Sequence, residues 1–157
     1  MHTTQHFSSS VPLLIALALS VALPGVATAA LGGDVTSVEA DRVHMKAATV
    51  VASQAALYTV HEIQSPSGTI VREFVSPTGT VFAVTWRGPF LPDLRQTLGG
   101  YFLIYQTAPR TGPGGHSHLA VERSDLVVRS SGHPRAFFGL AYVPQLVPAG
   151  VAVEQLK

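Results

Sequence analysis

The chain has 157 residues, 46% hydrophobic and 12% charged, which is enough apolar surface to offset the chain entropy of one folded domain and too much for a disordered segment. Ten Lys and Arg against nine Asp and Glu leave a net charge of +1, so no electrostatic footprint for nucleic acid or an anionic membrane is visible. The lack of cysteine excludes disulfides, thiolate zinc sites, iron–sulfur ligation and a cysteine nucleophile.

The N-terminal region reads as an address. Val11–Leu23 is a thirteen-residue apolar run broken by Pro12 and Ser20. It is shorter than the ~20 residues of a membrane-spanning helix but suits the core of a signal peptide. Pro24 and Gly25 then precede Ala27-Thr28-Ala29, an A-x-A cleavage pattern. The expectation is a signal peptide over residues 1–29, a single mature domain over 30–157, export to the periplasm or medium, and no stable membrane insertion after cleavage. The preceding stretch carries His2 and His6 but no Lys or Arg, which departs from the usual basic start.

In the mature part, Thr36-Ser37-Val38-Glu39 fits a capping box and predicts a helix from Ser37 to Val43. Ala47–Ala52 reads as a strand. Ser65-Pro66-Ser67-Gly68 and Ser76-Pro77-Thr78-Gly79 are near-repeats that place Pro at the second turn position and Gly where φ must be positive. Apolar runs flank them at Leu57–Gln64, Thr69–Val75 and Val81–Arg87, predicting a three-stranded antiparallel meander. In the register that three-residue loops impose, Glu62 faces Arg72, His61 faces Glu73, Val60 faces Phe74 and Phe74 faces Phe82. One face then carries Tyr58, Val60, Ile70, Phe74, Phe82, Val84 and Trp86. The other includes Val71, Val75, Val81 and Ala83; left uncovered, it would make a homodimer plausible.

Pro92 and the helical spacing of Leu94, Leu98, Tyr101, Phe102 and Tyr105 predict a helix over Pro92–Tyr105 that covers the aromatic face, with Gly99-Gly100 as its weak point. Thr107–His118 is a Pro/Gly-rich loop. Leu119–Arg123, Leu126–Arg129 and Ala136–Val143 read as strands, joined by turns at Ser124-Asp125 and Ser131-Gly132-His133-Pro134. The tail from Pro144 to Lys157 is expected to wrap the surface. The fold class is α+β: an antiparallel sheet of about six strands, centred on the meander and covered by one main helix.

Three groups of side chains could carry chemistry. His116-Ser117-His118 places two imidazoles at i, i+2, so that one zinc or other divalent metal could take both, provided that His44, His61, His133 or a carboxylate converges on them. Such a site would open a second reading, a metal-binding protein or weak metal-dependent hydrolase; in a glycine-rich loop the same spacing is more often a solvated turn. His61, Glu62, Arg72 and Glu73 form a polar cluster suited to acid–base work or, more simply, to cross-strand ion pairs. Trp86 and Arg87, leading into Gly88-Pro89-Phe90, could form an aromatic platform beside a guanidinium, although such a Trp is more often core. No G-x-S-x-G elbow is present, and Gly112-Pro113-Gly114-Gly115 lacks the trailing G-K-[ST] of a phosphate loop.

Several ordered motifs together carry a resemblance: Ala30-Leu31-Gly32-Gly33, Tyr58–Glu62, Ser65–Thr69, Val71–Ser76, Pro92–Gln96, Asp125–Val128 and Ala136–Pro144. Over nearly the whole mature chain, the sequence resembles the exported bacterial family called domain of unknown function 2844. That resemblance implies a single secreted or periplasmic domain and brings no activity, cofactor or catalytic residue with it. The expected function is therefore that of a non-catalytic envelope protein, without cofactor, binding a protein, peptide or glycan through Trp86, Arg87, His61, Glu62, Arg72 and Glu73.

Overall fold

The computed structural model describes residues 31–109 and 118–157, with only the backbone of His118. The expected signal peptide, the Gly112–Gly115 loop and His116 lie outside the described residues. Within them, no helix is long and apolar enough to cross a membrane.

In chain order the elements are α1 (Ser37–His44), β1 (Val50–Gln54), β2 (Thr59–Gln64), β3 (Ile70–Val75), β4 (Val81–Gly88), α2 (Leu94–Leu98), α3 (Phe102–Thr107), β5 (His118–Glu122), β6 (Val127–His133) and β7 (Ala136–Tyr142). The strands form one sheet in the order β1-β2-β3-β4-β7-β6-β5, seven strands where about six were expected. Every neighbouring pair is antiparallel. The architecture is α+β, as the sequence implied.

The two S-P-x-G turns form as expected. Gly68 and Gly79 take φ of +88° and +84°, and each loop-opening serine bonds both backbone and side chain to the threonine four residues on. Between β2 and β3 the pairs are Glu62–Arg72, His61–Glu73 and Val60–Phe74.

Between β3 and β4 the expectation fails. Phe74 pairs with Ala83, not Phe82, and the next pair is Val75–Val81, so Phe82 is the extra residue of a β-bulge. A bulge reverses the alternation beyond it. Phe74 and Phe82 therefore stay together, whereas Val84 and Trp86 join Ile63, Val71, Val75 and Val81 in the larger core cluster on the opposite face.

The helices cover that opposite face rather than the aromatic one. Val38 of α1 and Leu94 and Leu98 of α2 pack into the larger cluster, which also closes Val71, Val75 and Val81 off as a dimer surface. The crossover is fixed at Thr69, whose buried hydroxyl donates to the Phe90 carbonyl at 2.9 Å, and Gly88 lies close enough to Thr69 that a Cβ there would meet its backbone at 2.5 Å. The predicted Pro92–Tyr105 helix is two pieces. Asp93 is the N-cap of α2, accepting from the Arg95 and Gln96 amides at 2.9 and 3.4 Å. Gly99, at φ +50°, ends that helix before a 3-10 turn leads into α3.

Three local expectations are corrected. The Thr36/Glu39 box does not form: the Thr36 amide donates to Asp34 Oδ1 at 2.9 Å, and Glu39 instead pairs with Arg42 at 2.7 Å. Ala47 lies just past α1 and is tied back to it, its amide bonding the Arg42 carbonyl and its own carbonyl accepting from the Arg42 guanidinium, and β1 starts at Val50. The last hairpin turns at Pro134-Arg135, with Arg135 at φ +71°, because β6 continues to His133.

Candidate functional site

The described residues cover only half of the face opposite the helices. Over Phe74, Phe82 and Ala83 the C-terminal tail lays Leu146, Val147, Val151, Val153 and Leu156, and Tyr58 meets Phe74 and Phe82 edge-on at 5.6 and 5.9 Å. The register sets the remaining side chains in two rows across the strands. One is Ile70, Arg87, Phe138 and Ser131; the next is Glu62, Arg72, Thr85, Leu140, Arg129 and Ala120. Together with Leu156 and Lys157, most of these line a cleft of about 670 Å³. That volume lies within the range of small-ligand clefts.

The cleft combines an apolar floor with cationic edges. Phe138, on one of the inner strands of the sheet, is 55% exposed, although a side chain at that position is normally buried by a second layer. Arg72 Nε donates to Glu62 Oε2 at 2.7 Å, leaving both terminal nitrogens free of Glu62. Arg129 donates through Nε and Nη2 to Glu122 Oε1 at 3.1 and 3.0 Å. Arg87 has no ion-pair partner among the described residues. Among the described residues no Asp or Glu side chain lines the cleft.

The structure divides the residues singled out from sequence. Arg72 and Arg87 come together in the cleft, with Glu62 adjoining. His61 and Glu73 stand opposite each other but on the helix-covered face, because neighbours along a strand point to opposite sides. Trp86 is on that face too, 2% exposed, with its ring against Gly139 and its indole N–H unpartnered among the described residues. Phe90, by contrast, is exposed. The described histidine side chains do not gather. His44 lies 3.4 Å from Asp93, His133 ends β6, His61 is held below the usual histidine range by burial, and the His118 backbone sits opposite Ser131. Among the described residues no group of three or more His, Asp or Glu could hold a metal.

A second polar cluster lies between α1, α2 and the sheet. Asp41 and Glu73 are 3% and 1% exposed, and Gln96 Nε2 donates to Asp41 Oδ1 at 2.8 Å. Burial pushes the Glu73 carboxyl up to about 10, reinforced by its hydrogen bond to Asp41 and by the Asp41 charge. At neutral pH Glu73 therefore keeps its proton and the two carboxyls carry at most one negative charge. The adjoining hollow, bounded by Asp41, His44, Asp93 and Gln96, measures only about 110 Å³. The arrangement ties α1 to the sheet rather than offering acid–base chemistry to a substrate.

Sequence reasoning missed Asp41, Gln96, Arg129 and Phe138. For Asp41 a signal existed: it follows Val38 by three and precedes Met45 by four, on the apolar stripe of α1. Arg129 and Phe138 have no local signal, because their meeting with Arg72 depends on β7 pairing with β4.

No curated protein and no solved structure matches the chain. A family profile, described as protein of unknown function (DUF2844), matches residues 27–156, every described element included. The chain belongs to the DUF2844 family.

Proposed function

We propose that the chain is an exported, non-catalytic binding protein of the cell envelope, whose protein, peptide or glycan partner seats on the open half of the sheet. The observation that carries this reading is the cleft of about 670 Å³ with Phe138 exposed on its floor and Arg72, Arg87 and Arg129 around it. Apolar surface at the centre with arginine and aromatic side chains is the composition of binding surfaces. Among the described residues, the polar side chains of the lining are mainly arginine, lysine, serine and threonine, which suits holding a partner. Export follows from the apolar run and A-x-A pattern of residues 1–29.

A photocrosslinking residue placed at position 138 in the full chain, expressed in its own host, tests the reading. The expected result is a discrete adduct from position 138 and none from position 103, where Leu103 is 66% exposed on α3. Equal labelling from both positions, or no adduct from 138, contradicts it.

A further inference from the structure

We infer that the cleft takes an extended acidic segment of a protein partner, with carboxylates at positions i and i+4 and an apolar side chain at i+2. This assignment deepens the binding role proposed above and rests on it.

Arg72 on β3 and Arg129 on β6 stand in one row, with Thr85 of β4 and Leu140 of β7 between them. Three interstrand steps of ~4.8 Å put their stems roughly 14 Å apart. An extended peptide advances ~3.3 Å per residue, so four residues cover ~13 Å, and side chains i, i+2 and i+4 share one face. Carboxylates over the two arginines therefore bring the i+2 side chain down between Thr85 and Leu140, beside the exposed Phe138.

The two guanidiniums are already oriented by their own acids. Glu62 engages Arg72 through Nε alone, and Glu122 leaves Nη1 of Arg129 unused. Each retains donors for a second carboxylate at little ordering cost. Arg87, in the adjoining row beside Phe138, adds a positive charge without an ion-pair partner among the described residues.

The floor argues against a sugar. Leu140, Ile70 and Leu156 would strip water from hydroxyls without replacing their hydrogen bonds. A second copy of this chain does not supply the pattern either. Its acids stand at 34, 39, 41, 62, 73, 93, 122, 125 and 154, and no two of them are four apart.

The test is fluorescence anisotropy on the protein purified from its own host, with labelled, capped peptides. The first has glutamate at positions one and five, leucine at three, and threonine between them. The second moves the glutamates to one and three and the leucine to five, and the third carries glutamine for glutamate. The first peptide is expected to bind at least tenfold more tightly than either control and to weaken as salt is raised. Arg72→Gln and Arg129→Gln are each expected to lower its affinity about tenfold, since each removes one charge-assisted contact. Equal binding of the first two peptides overturns the inference. Binding of an oligouronate or of dodecanoate in place of the first peptide, abolished by Phe138→Ala, also overturns it while leaving the cleft as the binding face. The binding role itself falls if position 138 yields no crosslink or labels no more selectively than position 103.

Discussion

Replacing Glu73 by glutamine gives the sharpest stability prediction. In the unfolded chain this carboxyl ionises near 4.5, whereas in the fold it holds its proton up to about 10. Between those values the folded state binds more protons than the unfolded one, so stability falls as pH rises, by up to ~1.4 kcal/mol per pH unit. From pH 7 to 8.5 the loss reaches about 2 kcal/mol. A domain of this size shifts by roughly 3–5 °C per kcal/mol, which predicts a fall in Tm of roughly 6–10 °C. Glu73→Gln cannot ionise, keeps the shape of the acid and still offers a donor to Asp41, so its Tm should stay nearly flat over that range. The window begins at pH 7 because His61, on the same face, is held low by burial. Its effect has the opposite sign, with stability lost as pH falls below ~6.5, and it has ended by then. The assay is near-ultraviolet circular dichroism of Trp86, the single tryptophan, on heating at several pH values. Parallel pH slopes for the two proteins would refute the buried, protonated Glu73.

Other expectations test separate parts of the account. Asp93→Ala removes the cap of α2 and should cost about 1 kcal/mol in urea unfolding, with Asp93→Asn retaining most of the stability. Gly139→Ala places a methyl group against the Trp86 ring and should destabilise by about 3 kcal/mol with a changed near-ultraviolet spectrum. Phe138→Ala, at an exposed side chain, should leave Tm within the effect of about 0.5 kcal/mol while removing binding of the acidic peptide.

What could be read from the sequence follows how local its causes are. The S-P-x-G turns are fixed by residues four apart, and the β2–β3 register follows directly from them. The faces could not be read past Phe82, because nothing in Val81-Phe82-Ala83 marks a bulge: no glycine or proline stands there, and the continuous apolar run Val81–Val84 has no polar residue to show which face each side chain takes. That one residue moved Val84 and Trp86 to the other side and, with them, the face that the helices cover. The helix start was placed two residues early, at Pro92, since proline also suits a first helical turn, whereas Asp93 is the cap and Leu94 the first helical residue. At the candidate site, Arg72 and Arg87 were found because they flank a recognisable hairpin. Arg129 and Phe138 arrive from a second meander whose docking against β4 is set by long-range packing.

The most direct measurement is an amide chemical-shift map of the isotope-labelled protein titrated with the peptide carrying glutamate at one and five. The account predicts the largest changes at Arg72, Thr85, Arg87, Arg129, Phe138 and Leu140, all on the open half of the sheet. Changes centred on His44, Asp93 and Gln96 at the helical side, with the cleft residues unmoved, would contradict it.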